Sequence, residues 1–241
     1  MSGAAAPPSP PPPPDWAAVD LVVFDLDGTL YDQRALRARM LARLLAGLAS
    51  GRLAPRELRA LRDFRRHREA LAEAEDADFE ARQYALPAAR AGLDPARVRA
   101  AVSEWMERRP LPLLARCAYP GAGALFAALR RAGKRVAVLS DHPAREKLAA
   151  LGLDADPVVW AGDEGVGRLK PHPAGLLRVL RLAGGVPPGR ALMVGDRPER
   201  DGEAARRAGV AALIRSRRPL PGVRTFAAYD DPVFRPVLGA A

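Results

Sequence analysis

Ten residues near the start of the chain, Leu21-Val22-Val23-Phe24-Asp25-Leu26-Asp27-Gly28-Thr29-Leu30, restrict its fold more than any other stretch. A run of branched and aromatic residues reads as a strand buried on both faces, the kind found inside a parallel sheet. The run stops at two carboxylates and a glycine. Residues two apart in an extended chain project to the same side, so Asp25 and Asp27 can leave the strand end together. Gly28 lets the backbone turn sharply there. Two acids held close repel unless a cation sits between them or they share a proton. A solvated turn after a core strand needs neither, so the other strand ends have to decide.

Downstream, the pattern divides in two. Leu36, Met40, Leu44 and Leu48 recur at helical spacing with Leu41 and Leu45 beside them, and Gly51 supplies a stop. Pro55 opens a second helix with Leu58, Leu61 and Leu71. A third piece around Phe79, Tyr84 and Leu86 is interrupted at Pro87, and Asp94-Pro95 starts a helix through Trp105 and Met106. Pro110, Pro112 and Pro120 then break the pattern, and these leucine stripes read as the core of a small helical bundle.

From Gly121, short apolar runs alternate with helices: Val136–Leu139, Val158–Trp160, Ala191–Val194 and Val210–Ile214. That alternation predicts a parallel sheet with helices on both faces. The segment 219–241 is proline-broken and ambiguous, with room for a last short helix on the core. About 110 residues separate the first strand from the next, where a crossover needs only about a dozen and a helix. The excess is an inserted helical module positioned to lie over the acidic strand end. The expected fold is α/β: a doubly wound, Rossmann-like parallel sheet core with an inserted α-helical cap domain. We expect a Pro-rich disordered tail over 1–14, the core over 15–33 and 115–241, and the cap over 34–114.

Ligands of such a sheet bind outside the carboxyl ends of its strands, where strand order reverses. Those ends carry Asp25 and Asp27, then Ser140-Asp141, then Lys170 before Pro171, then Gly195-Asp196 with Asp201 five residues on. Each alone has an ordinary structural explanation. Gathered in one crevice they make an acidic hole with a hydroxyl and an ammonium on its rim, which suits magnesium-assisted phosphoryl transfer. A carboxylate can attack phosphorus, Lys170, Ser140 and the metal can hold the charged oxygens, and a second carboxylate can serve the leaving group.

Charge and cysteine content narrow the alternatives. The net charge of +10 invites a nucleic-acid reading, but the positive charge is nearly all arginine, dispersed among acids as in Arg56-Glu57 and Arg68-Glu69. Lysine occurs only at Lys134, Lys147 and Lys170. One cysteine, Cys117, rules out an internal disulfide, and no apolar run approaches the roughly 18 residues of a membrane span. A cytoplasmic protein is expected, a monomer or homodimer acting on a small phosphorylated metabolite, with no membrane partner and nucleic acid disfavoured.

The order and spacing of these groups resemble the haloacid dehalogenase-like hydrolase superfamily, in its phosphoglycolate phosphatase-like branch with a helical cap between the first two signatures. Asp25-Leu26-Asp27-Gly28-Thr29 resembles the first signature, Ser140 the second, Lys170 the third, and Gly195-Asp196 through Asp201 the fourth. The likeness implies that Asp25 is a nucleophile that becomes phosphorylated and that Asp27 is general acid and base. It implies Mg²⁺ at Asp25, Asp196 and Asp201, with Asp27 contributing its backbone carbonyl. Thr29, Ser140, Asp141 and Lys170 are expected at the substrate. Asp27 points to phosphate esters, since the dehalogenating members lack an acid there. A sugar phosphomutase of the same superfamily and a non-catalytic or nucleic-acid-binding protein on this scaffold are the alternatives. His142 is expected as a turn residue before Pro143.

Overall fold

The strand β1 (Leu21–Phe24) is buried at every position and lies inside a sheet of six strands. Its partners are β2 (Arg135–Ser140), β3 (Val158–Trp160), β4 (Ala191–Gly195), β5 (Ala211–Arg215) and β6 (Thr225–Phe226). The order is β3-β2-β1-β4-β5-β6, and every pairing is parallel. This computed structural model describes residues 10–239. Of the expected tail, residues 1–9 lie outside the described residues, and 10–14 have no regular secondary structure.

Alternate residues of the strands serve opposite faces, as an extended chain requires. On one face Val22, Phe24, Val138 and Leu192 pack with Phe126 and Phe234. On the other, Leu21, Val23, Leu139 and Met193 pack with Leu176, Val179 and Ala205. Both faces are therefore covered, which is why β1 carries no polar residue until it ends.

The helices are α1 (Gln33–Ala49), α2 (Pro55–Glu73), α3 (Phe79–Ala91), α4 (Pro95–Val102), α5 (Leu111–Leu114), α6 (Ala122–Arg131), α7 (Arg145–Ala150), α8 (Ala174–Leu182), α9 (Glu203–Ala208) and α10 (Arg235–Leu238). The first six lie between β1 and β2. Asp32 caps α1, its carboxylate accepting from the backbone N–H groups of Arg34 and Ala35 at 2.8 and 3.0 Å. No helix among the described residues is long and apolar enough to cross a membrane.

Four local expectations need correction. Pro87 does not interrupt the third helix: α3 runs through it, because Tyr84, Pro87, Ala88 and Ala91 are all buried and Tyr84 stacks on Phe64 at 5.3 Å between ring centroids. Packing outweighs the one helical hydrogen bond that a proline removes. Leu41 and Leu45 are not bundle core; each is 56% exposed, while Leu36 and Met40 are buried. The helix through Trp105 widens into a π-turn over Ser103–Arg108, where the indole lies so close to Gly47 that a β-carbon there would come within 2.3 Å of it. Finally, the C-terminal segment adds the edge strand β6 as well as α10, and two residues are too short a run to show any alternation.

Candidate active site

The chain moves outward from β1 to β2 and β3, then returns to β4 on the other side of β1. Strand order thus reverses between β1 and β4, and a crevice opens at their carboxyl ends. Asp25 sits there as the first residue past β1, its backbone N–H donating to the Val194 carbonyl at 2.8 Å. One Asp25 oxygen accepts from the Lys170 ammonium at 2.6 Å and the other from the Thr29 hydroxyl at 2.9 Å. The same ammonium donates to Asp201 at 2.6 Å. Lys170 is itself held from both sides, its N–H by the Asp141 carboxylate at 2.9 Å and its carbonyl by the Arg200 guanidinium at 2.6 Å.

Asp196 follows β4, and Asp201 braces its loop by accepting from the N–H groups of Asp196 and Arg197 at 3.1 and 3.0 Å. Asp25, Asp196 and Asp201 each present a carboxylate oxygen, and the three oxygens lie within 4.8 Å of one another. With all three carboxylates ionised, the crevice would carry a net charge of minus two after the one Lys170 ammonium is counted. Burial pushes the Asp25 carboxyl well above the ordinary range, Lys170 offsets part of this, and Asp201 and Asp196 add to it. Asp196 is pushed up to about 6 by burial and by the charge of Asp201. A divalent cation would cancel that excess, and a set of hard carboxylate oxygens is the donor chemistry that Mg²⁺ takes.

Gly28 keeps the crevice open. Its φ is +95°, and a β-carbon there would lie 2.3 Å from an Asp196 oxygen. Gly28→Ala is therefore expected to lose about 2–3 kcal/mol from backbone strain and collision. Urea unfolding should show that loss.

The second carboxylate of the first signature faces elsewhere. Asp27 accepts from the Lys147 ammonium at 2.7 and 3.0 Å and from the Tyr31 hydroxyl. Burial alone would raise its carboxyl, but Lys147, His142 and the Tyr31 hydrogen bond hold it well below the usual carboxylate range. Its side chain takes no part in the three-acid cluster. Beside it, burial pushes the His142 imidazole well below its ordinary value, helped by the charges of Arg68 and Lys147.

Two residues expected at the substrate make contacts within the protein. Thr29 is fully buried, its hydroxyl 2.9 Å from the Asp25 carboxylate and 3.5 Å from an Asp196 oxygen. Asp141 uses one carboxylate oxygen to hold the Lys170 loop, and its carbonyl accepts from Arg68. Ser140 ends β2 and is buried, its hydroxyl oxygen accepting from the His142 N–H at 3.1 Å.

Lys147, Tyr31, Arg68 and Arg200 were not singled out from the sequence as parts of this site. Lysine scarcity was the available signal. In a chain whose cations are nearly all arginine, each of the three lysines places its ammonium on two acceptors: Lys134 on the Trp16 and Val19 carbonyls, Lys147 on both Asp27 oxygens, and Lys170 on Asp25 and Asp201. A compact ammonium suits such points, where a planar guanidinium does not.

Comparison with known proteins agrees with this geometry. Over 130 residues the chain is 40% identical to a phosphoglycolate phosphatase from Rhodospirillum rubrum, covering 51% of this chain and 53% of that protein. It is 42% identical over 112 residues to a phosphoserine phosphatase from Thermus thermophilus, covering 44% and 42% of the two chains. It thus spans about half the length, or less, of these curated relatives. Among solved structures, a 2-haloacid dehalogenase from Pseudomonas syringae superposes with a TM-score of 0.62 at 25% identity, covering 92% of this chain and 98% of the other. The sequence profile of the haloacid dehalogenase-like hydrolases matches residues 19–209, most of the chain and all four strand ends that build the crevice, so the chain belongs to that family.

Proposed function

We propose that the chain is a cytoplasmic Mg²⁺-dependent phosphatase, hydrolysing a small organic phosphate monoester through an aspartyl-phosphate on Asp25. The observation that carries this reading is the cluster of Asp25, Asp196 and Asp201 oxygens within 4.8 Å, with the Lys170 ammonium bonded to two of its members. Mg²⁺ would be held by Asp25 and Asp196, braced by Asp201, and would supply positive charge against the phosphoryl oxygens.

In the first half-reaction, an Asp25 oxygen attacks phosphorus while the bond from phosphorus to the leaving oxygen breaks. Lys170 and Ser140 hold the phosphoryl oxygens. Asp27 delivers a proton to the leaving oxygen, a proton that its carboxyl must first take up from solvent as Lys147 loosens its grip on both Asp27 oxygens. In the second half, water attacks phosphorus, Asp27 takes its proton, and the bond to Asp25 breaks to free inorganic phosphate. The arrangement of Asp27 as a clamped carboxylate suits this second, proton-accepting half.

We assign the core to 15–33 and 115–241 and the cap to 34–114, with the cap reading the leaving group. The two phosphatases similar to this chain are named for esters whose leaving groups carry a carboxylate. A matching group exists on the cap: Arg68 is buried, donates to the neutral oxygens of Gln83 and the Asp141 backbone, and has no ion pair among the described residues. A buried guanidinium without a counterion is unfavourable, so a substrate carboxylate would complete it.

Phosphate release from a panel of monoesters, acidic and neutral, tests the reading. Release is expected only with Mg²⁺ and should favour the acidic esters. Silence across the panel from folded, metal-supplied protein would end it. Mg²⁺ at 100 times its Kd should also stabilise the fold by about 2.7 kcal/mol, raising Tm by about 5–10 °C. Differential scanning calorimetry with and without a chelator checks this.

A further inference from the structure

Four arginines of the core converge on one turn of the inserted module. Glu69, near the end of α2, accepts from Arg197 at 3.0 and 3.2 Å and from Arg200 at 2.6 Å. Just beyond the helix, the Glu75 carbonyl accepts from Arg168 at 2.6 Å, and its carboxylate pairs with Arg207. A small apolar patch of Leu71, Ala72 and Phe79 against Ala161 and Leu169 lies alongside.

Arg200 differs from the other three. Its side chain is 5% exposed, and among the described residues Glu69 is its one ion-pair partner. Its other nitrogen donates to the Lys170 carbonyl. It belongs to the loop that carries Asp196 and Asp201, and Arg197 lies next to Asp196 on that loop. A single guanidinium therefore joins a cap carboxylate, the Lys170 backbone and the loop of acids. If the cap swings away, Arg200 loses the Glu69 carboxylate and the helix beside it, keeps only the Lys170 carbonyl, and no longer pins the loop of acids from the cap side.

We propose that Glu69 is a positioning residue that couples seating of the cap to divalent-cation affinity at Asp196 and Asp201, acting through Arg200. This rests on reading the three-acid cluster as a cation site. Coupling is reciprocal: a seated cap tightens the hold on the cation, and the bound cation favours the seated cap. Arg207, which grips Glu75 from α9 and touches none of the acids, holds the cap without this link.

Isothermal titration of Mg²⁺ into the full chain, without substrate, tests the coupling. Glu69→Gln and Arg200→Lys are each expected to weaken Mg²⁺ binding about 5–20-fold, whereas Arg207→Gln should stay within about twofold of wild type. Phosphatase activity of Glu69→Gln should recover at saturating Mg²⁺, so that the metal requirement moves and kcat does not. Hydrogen exchange on the wild-type chain is the companion measurement, with Mg²⁺ expected to slow exchange at the end of α2. Wild-type affinity in a folded Glu69→Gln, or no Mg²⁺ protection of α2, overturns the coupling alone. A wild-type chain that takes up no Mg²⁺ overturns the cation reading and the coupling with it.

Discussion

Asp25→Asn is expected to lower phosphate release by about 10⁴-fold or more, while Tm holds or rises by a few degrees. The two effects share one cause. Asp25 is buried, and its neighbours Asp201 and Asp196 push its carboxyl further up, so the charged form, which is the one proposed to attack phosphorus, is unfavourable in the resting fold. Asparagine keeps the shape, with its amide oxygen placed to accept from Lys170 and its NH2 to donate to the Thr29 hydroxyl oxygen, and Lys170 retains Asp201 as its charged partner. The nucleophile goes, and a repulsion goes with it. Single-turnover phosphate release and calorimetry measure the two sides. Full activity in the variant would remove Asp25 from the attack, and a fall in Tm would show that its charge is well compensated.

Lys170→Met is the second large effect, and there both quantities fall. The variant leaves Asp25, Asp196 and Asp201 in a closed space without the ammonium that bonds two of them. Breaking a buried pair from one side costs about 3–5 kcal/mol, a fall in Tm of about 6–20 °C. On the proposed reading, loss of the charge that would hold the phosphoryl oxygens is expected to lower kcat by about 10²–10³-fold. A double-mutant cycle separates electrostatics from packing: in the Asp25→Asn background the stability loss of Lys170→Met should shrink, because one of the stranded carboxylates is already gone. A loss of equal size in both backgrounds would assign the effect to packing of the lysine stem.

The doubly wound sheet and the chemistry at its strand ends were legible because their signals are local. β1 is buried on both faces and reads as an unbroken apolar run, and the acids follow within three residues. The insertion was legible as an excess of chain between two strands. What escaped notice depends on contacts across long separations or on packing. Lys147 meets Asp27 from 120 positions away, and Arg68 meets Asp141 from 73. No spacing rule covers such pairs. Thr29 follows the acids in the chain, yet its complete burial against Asp25 is set by the folded crevice and not by the sequence pattern. Pro87 violates helix propensity and is overruled by the face it buries.

The position of β4 has a consequence for how the protein matures. Asp25 is tied to Val194, and Asp196 reaches the crevice only when β4 lies against β1. A nascent chain emerging from the ribosome displays its first pair of acids long before the strand that completes the cage is synthesised. On the proposed reading, magnesium would find no complete set of ligands until translation is nearly finished, so the ion would reward the completed fold without guiding the chain toward it.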